Sequence, residues 1–495
     1  MIDAGTRPYA AAGAKPAGSP LFYSFVAFLL FAPLYKAGNQ PFSLLVLELA
    51  AVGFLFLIFA VQRDPPAMPR ALLAAIAILV VYPLIQIIPL PEALWRVLPG
   101  HGGYVEAIDR FAAGVVKQGT VRPAHTLSVI PDYTEEGWLA LLPPLACLLV
   151  VLRLRAKDVT RLLLIMVVFA AVEALLGLLQ AGTGGSSIVY RPVEDSHGRA
   201  YGTFVDPNHF SAFLAMTLPV AIGLIVYSIR HERHRRTPGA PGQPAHGRDA
   251  NLIAQLALLF ASAVMILLCL ILTWSRAGIA TALVGLACSA VLLPRLRGGV
   301  KHARLLVFGL VGAAAVLALL VGITPILEKL GPEHLAGGIE GRWLMTVMTL
   351  RAAVEYLPFG SGFSTLSEVF ARFQTGSLGG WIDYAHNDYA QAFMELGLAA
   401  PAMIGLALAA YGARMADLLR HKGGRSFTIL QLAAGIALLP MLLHSAFEFG
   451  LHMPSLGMWF ATLAGVTFHR GVTESDSAQS TASGDLRGIR GTIVP

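Results

Sequence analysis

The chain alternates long apolar runs with shorter polar connections. Roughly twelve runs are long enough to cross a bilayer, by the rule of about 20 residues per helix. They lie at Leu21–Tyr35, Leu44–Val61, Ala71–Leu90, Trp138–Leu152, Leu162–Gln180, Phe210–Ile229, Leu252–Trp274, Gly278–Leu293, Leu305–Ile323, Tyr389–Ala410, Thr428–Ala446 and Ser455–Phe468, of which the fourth, eighth and twelfth are short. The pattern predicts an all-α integral membrane protein. One polar passage in the second half, Thr324–Asp388, breaks the rhythm. Within it Trp343, Val347, Leu350, Val354 and Leu357 recur at helical spacing. That predicts an amphipathic helix at the interface or against the bundle, ended by Pro358. Phe359–Phe363 then reads as a turn; with no strand before it, its glycines do not make a nucleotide loop. The segment Trp381–Gly397 starts as loop and becomes helix, with His386 at the entry and Asn387, Gln391 and Glu395 in one stripe. A polar stripe entering an apolar helix should face protein or a water-filled cavity, not lipid.

The connections set the expected topology. Arg63 and Arg70 follow the second run, Arg153, Arg155, Lys157 and Arg161 the fourth, and Arg230, Arg233, Arg235 and Arg236 the sixth. Arg295, Arg297, Lys301 and Arg304 follow the eighth, and Arg420, Lys422 and Arg425 the tenth. Every alternate loop is basic, which predicts that those loops and both termini are cytoplasmic. The outward loops are then Pro91–Gly137, Ala181–Asn208 and Thr324–Asp388, together with short turns. The expected organisation is a cytoplasmic tail over 1–20, a polytopic domain over 21–468 that includes the outer loop 324–388, and a disordered cytoplasmic tail over 469–495. Thr237–Gly247 reads as a flexible cytoplasmic linker.

Composition narrows the function classes. The 495 residues are 56% hydrophobic and 13% charged, with mean hydropathy +0.67. The net charge of +7 sits mostly in short loops, so it reports topology rather than nucleic-acid binding. Cys147, Cys269 and Cys288 all fall inside apolar runs and make neither a disulfide framework nor metal-ligand pairs. The first run carries no small-residue cleavage pattern, so the first span is expected to stay as an anchor.

Outward arginines run against the positive-inside bias and are informative for that reason. Arg191 and Arg199 lie in the third outer loop, Arg276 in the short turn Thr273–Gly278, and Arg342 and Arg351 on the amphipathic helix. Each alone could be a snorkelling residue. Together, beside a histidine, they suit a lipid diphosphate, because the guanidinium fork matches phosphate oxygens. His386 is the candidate for acid–base work, with Asp383 or Asp388 close enough in sequence to orient its ring. A structural hydrogen bond at the helix entry is the competing reading. Asp206 and Asn208 read as a capping turn ahead of His209. His444, Glu448 and His452 read as pocket lining or helix-end packing. Glu48 and Glu173 lie within spans, where carboxylates are functional suspects, although a neutral, hydrogen-bonded Glu is as good a reading.

Several segments, taken in order, resemble the bacterial O-antigen ligase and polysaccharide polymerase superfamily. They are Arg199–Asn208, Trp274–Gly278, Gly341-Arg342, Pro358–Gly362 and His386–Gly397. The outer segment Leu127–Thr134 and the late segment His444–Pro454 are more similar to the polymerase or exopolysaccharide branch. The resemblance implies about twelve transmembrane helices with a large periplasmic loop and a GT-C-like architecture. It implies an inner-membrane enzyme of lipopolysaccharide or exopolysaccharide biosynthesis. A glycan would pass from undecaprenyl diphosphate to an acceptor hydroxyl, on a growing glycan or on lipid A-core, in one inverting, metal-independent step with no cofactor. By the same resemblance His386 is catalytic, Arg199 and Arg276 hold the diphosphate and Arg342 adds to them. Asn208, Asp383, Asn387, Gln391, Glu395, His444 and Glu448 are candidates for the pocket. A protein O-oligosaccharyltransferase is the nearest alternative. A lipid-glycan flippase or secondary transporter is the alternative of another class, kept open by Glu48 and Glu173.

Overall fold

A computed structural model of the chain describes residues 20–61, 68–115, 125–183, 189, 198–204, 206–235, 245–296, 303–321, 332–376, 378–420 and 426–470. Arg191, most of the 237–247 linker and both termini lie outside these. Among the described residues the chain is all-helical. The helices are α1 Pro20–Leu34, α2 Pro41–Val61, α3 Arg70–Gln86, α4 Glu92–Trp95, α5 Gly102–Val115, α6 Pro131–Leu139, α7 Leu142–Arg153, α8 Ala156–Gly182 and α9 Pro207–Arg235. They continue with α10 Ala245–Leu272, α11 Arg276–Leu292, α12 Ala303–Val321, α13 Pro332–Glu355, α14 Leu366–Phe370, α15 Asp388–Leu396, α16 Ala399–Arg420, α17 Phe427–His444 and α18 Pro454–Phe468.

Among the described residues, eight helical stretches are long and apolar enough to cross a membrane, and Pro20–Leu34, Arg70–Gln86 and Arg304–Val316 are shorter apolar helices. The protein is thus a multi-pass membrane protein; eight spans meet the length criterion rather than twelve. The central layer is α9, which packs against α10, α11 and α17, while α18 packs against α7 and α17. Small residues let these helices approach closely. A Cβ on Gly223 would stand 2.3 Å from that of Ala433, and one on Gly278 would meet Ser211 at 2.1 Å.

The predicted span Tyr389–Ala410 is broken. α15 stops at Leu396, and Gly397 takes φ +57 before α16 begins. The break comes from a backbone-to-backbone contact. A Cβ on Gly397 would lie 2.2 Å from the Pro358 carbonyl oxygen, and one on Gly360 would lie 2.3 Å from the Glu395 carbonyl oxygen. Only glycine permits this approach at a positive φ. The turn after α13 is thereby pressed against the end of α15.

The described part of the polar passage, from Pro332 on, is a small helical layer with its own core. Met345, Met348 and Ala352 of α13, with Tyr356 just after it, pack with Leu366, Val369, Phe370 and Met394. The amphipathic helix is present, but the stripe Trp343, Leu350 and Val354 is its exposed face. Two apolar stripes share the helical period, and the one carrying flexible methionines and small alanines fits the concave core. Residues from the 91–137 connection brace this layer. Val129 N–H donates to the Ser361 carbonyl at 2.9 Å, and Arg372 lies over the Tyr104 ring at 5.3 Å.

Among the described residues, connections after odd-numbered apolar runs meet at one end of the bundle. Thr203 Oγ1 donates to Pro33 O at 2.6 Å, Gln86 Nε2 to Phe359 O at 3.1 Å and Arg199 Nε to Thr273 O at 2.7 Å. That shared end is the one predicted to face outward.

Candidate functional site

Short turns at this end supply a cavity of about 400 Å³, lined by Lys36, Asp206, His209, Asp383, Tyr384, His386 and Phe449 among others. His386 sits in the loop just before α15, with φ +49. A left-handed backbone is uncommon for a residue with a side chain and persists where the surroundings over-determine it. Here α15 does so from one side, because Asn387 Oδ1 caps it by accepting from Tyr389 N and Ala390 N at 3.1 and 3.0 Å. From the other side Gln391 Oε1 accepts from Ala385 N at 3.2 Å.

Glu448 holds the ring of His386. Its Oε2 lies 2.9 Å from His386 Nδ1, while Oε1 forms an ion pair with Arg342 NH2. Glu448 has no exposed side-chain surface, whereas His386 is 29% and Arg342 35% exposed. Burial alone would raise the pKa of Glu448, but the hydrogen bond to His386 and the Arg342 charge overcome it and hold the acid down at about 2. An ionised carboxylate only accepts, so Nδ1 carries the ring proton and Nε2 is the basic nitrogen. Among the described residues nothing bonds Nε2. Phe449 backs the site, with Tyr384 stacked on it at 4.2 Å and the rings of His386 and His209 edge-on at 4.9 and 4.6 Å.

Neither acid near His386 in sequence orients it. Asp388 instead binds His452 Nδ1 at 2.8 Å and the Leu451 amide at 3.2 Å. Desolvation pushes His452 down, but the Asp388 hydrogen bond and charge raise it above the ordinary histidine range. Asp383 lines the cavity. The helical geometry turns Asp388 away from His386, and folding brings in an acid 62 positions later.

Arg199 is fixed by Thr273 O and, at 3.4 Å, by Asn208 Oδ1, one residue before the cavity-lining His209. Asn208 N donates to Asp206 Oδ1 at 2.6 Å, the capping turn that the sequence predicts. Arg276 opens α11, which Ser275 caps through Gly278 N, and Trp274 before it takes φ +53. Arg342, expected among the diphosphate arginines, is engaged with Glu448 and the Phe447 carbonyl.

The other candidates divide. Gln391 and Glu395 are tied to each other at 3.0 Å and are buried in protein. His444 is fully buried, and neither of its nitrogens has a hydrogen-bond partner among the described residues. Glu173 accepts from Thr203 N and Oγ1 at 3.1 Å each, so it anchors the third outer loop; Glu48 is half-buried. Sequence reasoning passed over Lys36, Tyr384 and Phe449. Lys36 stands at the outer end of the first apolar run, where the positive-inside argument applied to the arginines would have found it. The two aromatics carry no comparable signal.

Residues 261–404 match the O-antigen ligase family model. That stretch is similar to the O-antigen ligase family, and the similarity supports membrane glycan transfer in polysaccharide assembly. The matched stretch holds Arg276, Arg342 and His386, while Arg199 and Glu448 lie outside it. No curated protein matches the chain in sequence.

Proposed function

We propose that this chain is an inverting glycosyltransferase of the bacterial inner membrane. It takes a glycan from undecaprenyl diphosphate and passes it to an acceptor hydroxyl on the periplasmic side. The observation that carries this reading is an imidazole at a cavity wall, fixed through Nδ1 by an ionised, fully buried acid and leaving Nε2 for substrate.

The chemistry follows from that geometry. An acceptor hydroxyl attacks the anomeric carbon, and its proton passes to His386 Nε2. The new carbon–oxygen bond forms as the bond to the diphosphate oxygen breaks, and both electrons leave with the lipid diphosphate. Glu448 stabilises the imidazolium so formed, as the orienting acid does in other base–carboxylate pairs. Arg342 tempers that effect by sharing the carboxylate. Cationic side chains at the same end, Arg199 and Arg276 among them, stabilise the charge growing on the leaving group. The sugar–diphosphate bond is already activated, so the reaction needs no nucleotide.

The deciding experiment gives purified protein a lipid-linked repeat unit, with and without a lipid A-core acceptor. Chain growth without the core defines a polymerase, and capping of the core defines a ligase. Failure of both reactions, with His386→Gln indistinguishable from wild type, overturns the reading. A pilin-like acceptor glycosylated in their place marks a protein O-oligosaccharyltransferase. Glu173, the strongest support for a transporter, is committed to holding Thr203, and neutralising Glu48 and Glu173 together should spare transfer in vitro.

A further inference from the structure

We propose that Lys36 is a direct ligand of the departing diphosphate; this rests on the reading of the site as a diphosphate-linked glycan transferase. The turn between α1 and α2 is built to hold this residue. Lys36, Ala37 and Gly38 take φ +50, +59 and +79 in succession. Two consecutive residues with side chains in left-handed conformation are maintained only where packing imposes them. Ala37 is buried, a Cβ on Gly38 would lie a tight 3.1 Å from Ala32 O and 3.2 Å from Pro454 Cβ, and Ser43 Oγ donates to the carbonyls of Gly38 and Gln40 at 2.9 Å each.

The strained turn delivers a cation to the wall of the cavity that holds His386. Lys36 is the lysine or arginine that lines this cavity among the described residues, and it forms no ion pair there. Asp206 lines the cavity too, but its Oδ1 is already occupied by Asn208 N. Arg199 approaches the cavity wall through Asn208, and Arg342 is committed to Glu448. An in-line displacement places the leaving oxygen on the far side of the anomeric carbon from the attacking hydroxyl. Lys36 and His386 come from separate segments, the α1–α2 turn and the loop before α15. An ammonium on one and a basic nitrogen on the other meet the two partners that the reaction requires. A lysine acts there as a point charge toward phosphate oxygens.

The test uses full-length protein in detergent and measures binding of undecaprenyl diphosphate and of undecaprenyl monophosphate. Lys36→Asn removes the charge and tolerates left-handed backbone, Lys36→Gln is a second neutral variant, and Lys36→Arg keeps the charge. The expected result is undecaprenyl diphosphate binding about tenfold or more weaker in both neutral variants and within about threefold of wild type in Lys36→Arg, each eluting as a single folded peak. The monophosphate should be less sensitive to the substitution. Equal diphosphate binding by wild type and the neutral variants overturns the assignment and leaves the glycan-transfer reading in place. So does a raised acceptor KM with donor binding intact, which puts Lys36 on the acceptor instead. Wild-type protein that binds no undecaprenyl diphosphate at all overturns the underlying reading, and this proposal with it.

Discussion

The two ends of α15 carry polar clusters of opposite character. At its start, His386 and Glu448 meet across the chain with a positive φ, a partly open ring and an unbonded Nε2. At its end, Gln86 Nε2 donates to Phe359 O and Glu395 O at 3.1 and 2.9 Å, and its Oε1 accepts from Phe363 N at 3.0 Å. Glu395 Oε1 accepts from Gln391 and, at 3.3 Å, from Leu366 N. The second cluster is buried and tied mostly into the backbone, with Glu395 Oε2 alone of its named atoms lacking a partner among the described residues; the first keeps one basic atom in reserve beside a cavity. Polarity inside a membrane protein marks a place that must be satisfied. Function belongs where satisfaction is left incomplete beside a cavity.

The contrast is broken most directly at His386. His386→Ala and His386→Gln should each lower transfer by about 10²- to 10⁴-fold, the usual worth of a general base, with donor binding near wild type. Near-normal transfer by His386→Gln at neutral pH would reduce this end of α15 to another structural knot.

Glu448→Gln should cost about 10² in transfer, because the amide no longer holds the ring in one tautomer or stabilises its cation. Its stability signature has a defined sign. The acid is depressed from the usual value near 4.5 to about 2, so its contribution is complete above pH 4.5 and is lost as pH falls toward 2. The melting-temperature gap between wild type and Glu448→Gln should therefore shrink across that interval. A gap independent of pH would mean that Glu448 is not ionised.

Arg276→Lys should lose more than about tenfold in transfer, or about 1.4 kcal/mol, with folding intact, because charge is kept and the planar fork is not. Full activity would leave Arg276 as an interfacial anchor. The smallest effect on activity is expected at the other end of α15. Gln86→Leu should stay within about threefold of wild-type transfer while destabilising by about 1–3 kcal/mol, since it strands the Phe363 amide and leaves the Phe359 and Glu395 carbonyls only their bonds from Tyr82 OH and Gly362 N. Thermal unfolding followed beside transfer separates the two; a collapse of activity in folded Gln86→Leu would show that the knot takes part in the chemistry.

Much of this was legible in sequence. Apolar runs and alternating basic loops locate the helices and the shared end, because lipid imposes both patterns on any helical bundle. His386 stood out because it heads a polar stripe, Asn387, Gln391 and Glu395, at the entry to an apolar run. Its partner did not, since Asp388 and Asp383 were nearer in sequence and Glu448 becomes a neighbour only after two further spans fold back. The break at Gly397 was hidden for a similar reason. A glycine inside an apolar run is common, and the demand for this one comes from the Pro358–Gly360 turn pressing on it. The functional stripe expected along α15 was split by its own neighbours, which use Asn387 as a cap and Gln391 and Glu395 as ties.

The 62-residue separation of His386 from Glu448 also sets an order in time. Synthesis runs from the N-terminus, so α16 and α17 are made after His386 and before its acid. A nascent chain that has reached only Arg420 already carries Lys36, the arginines and His386, but no carboxylate to set the imidazole. The last hairpin to enter the membrane brings the activating group. On the proposed mechanism, a half-built chain lacks the acid that fixes the imidazole, so full activity waits for the last hairpin.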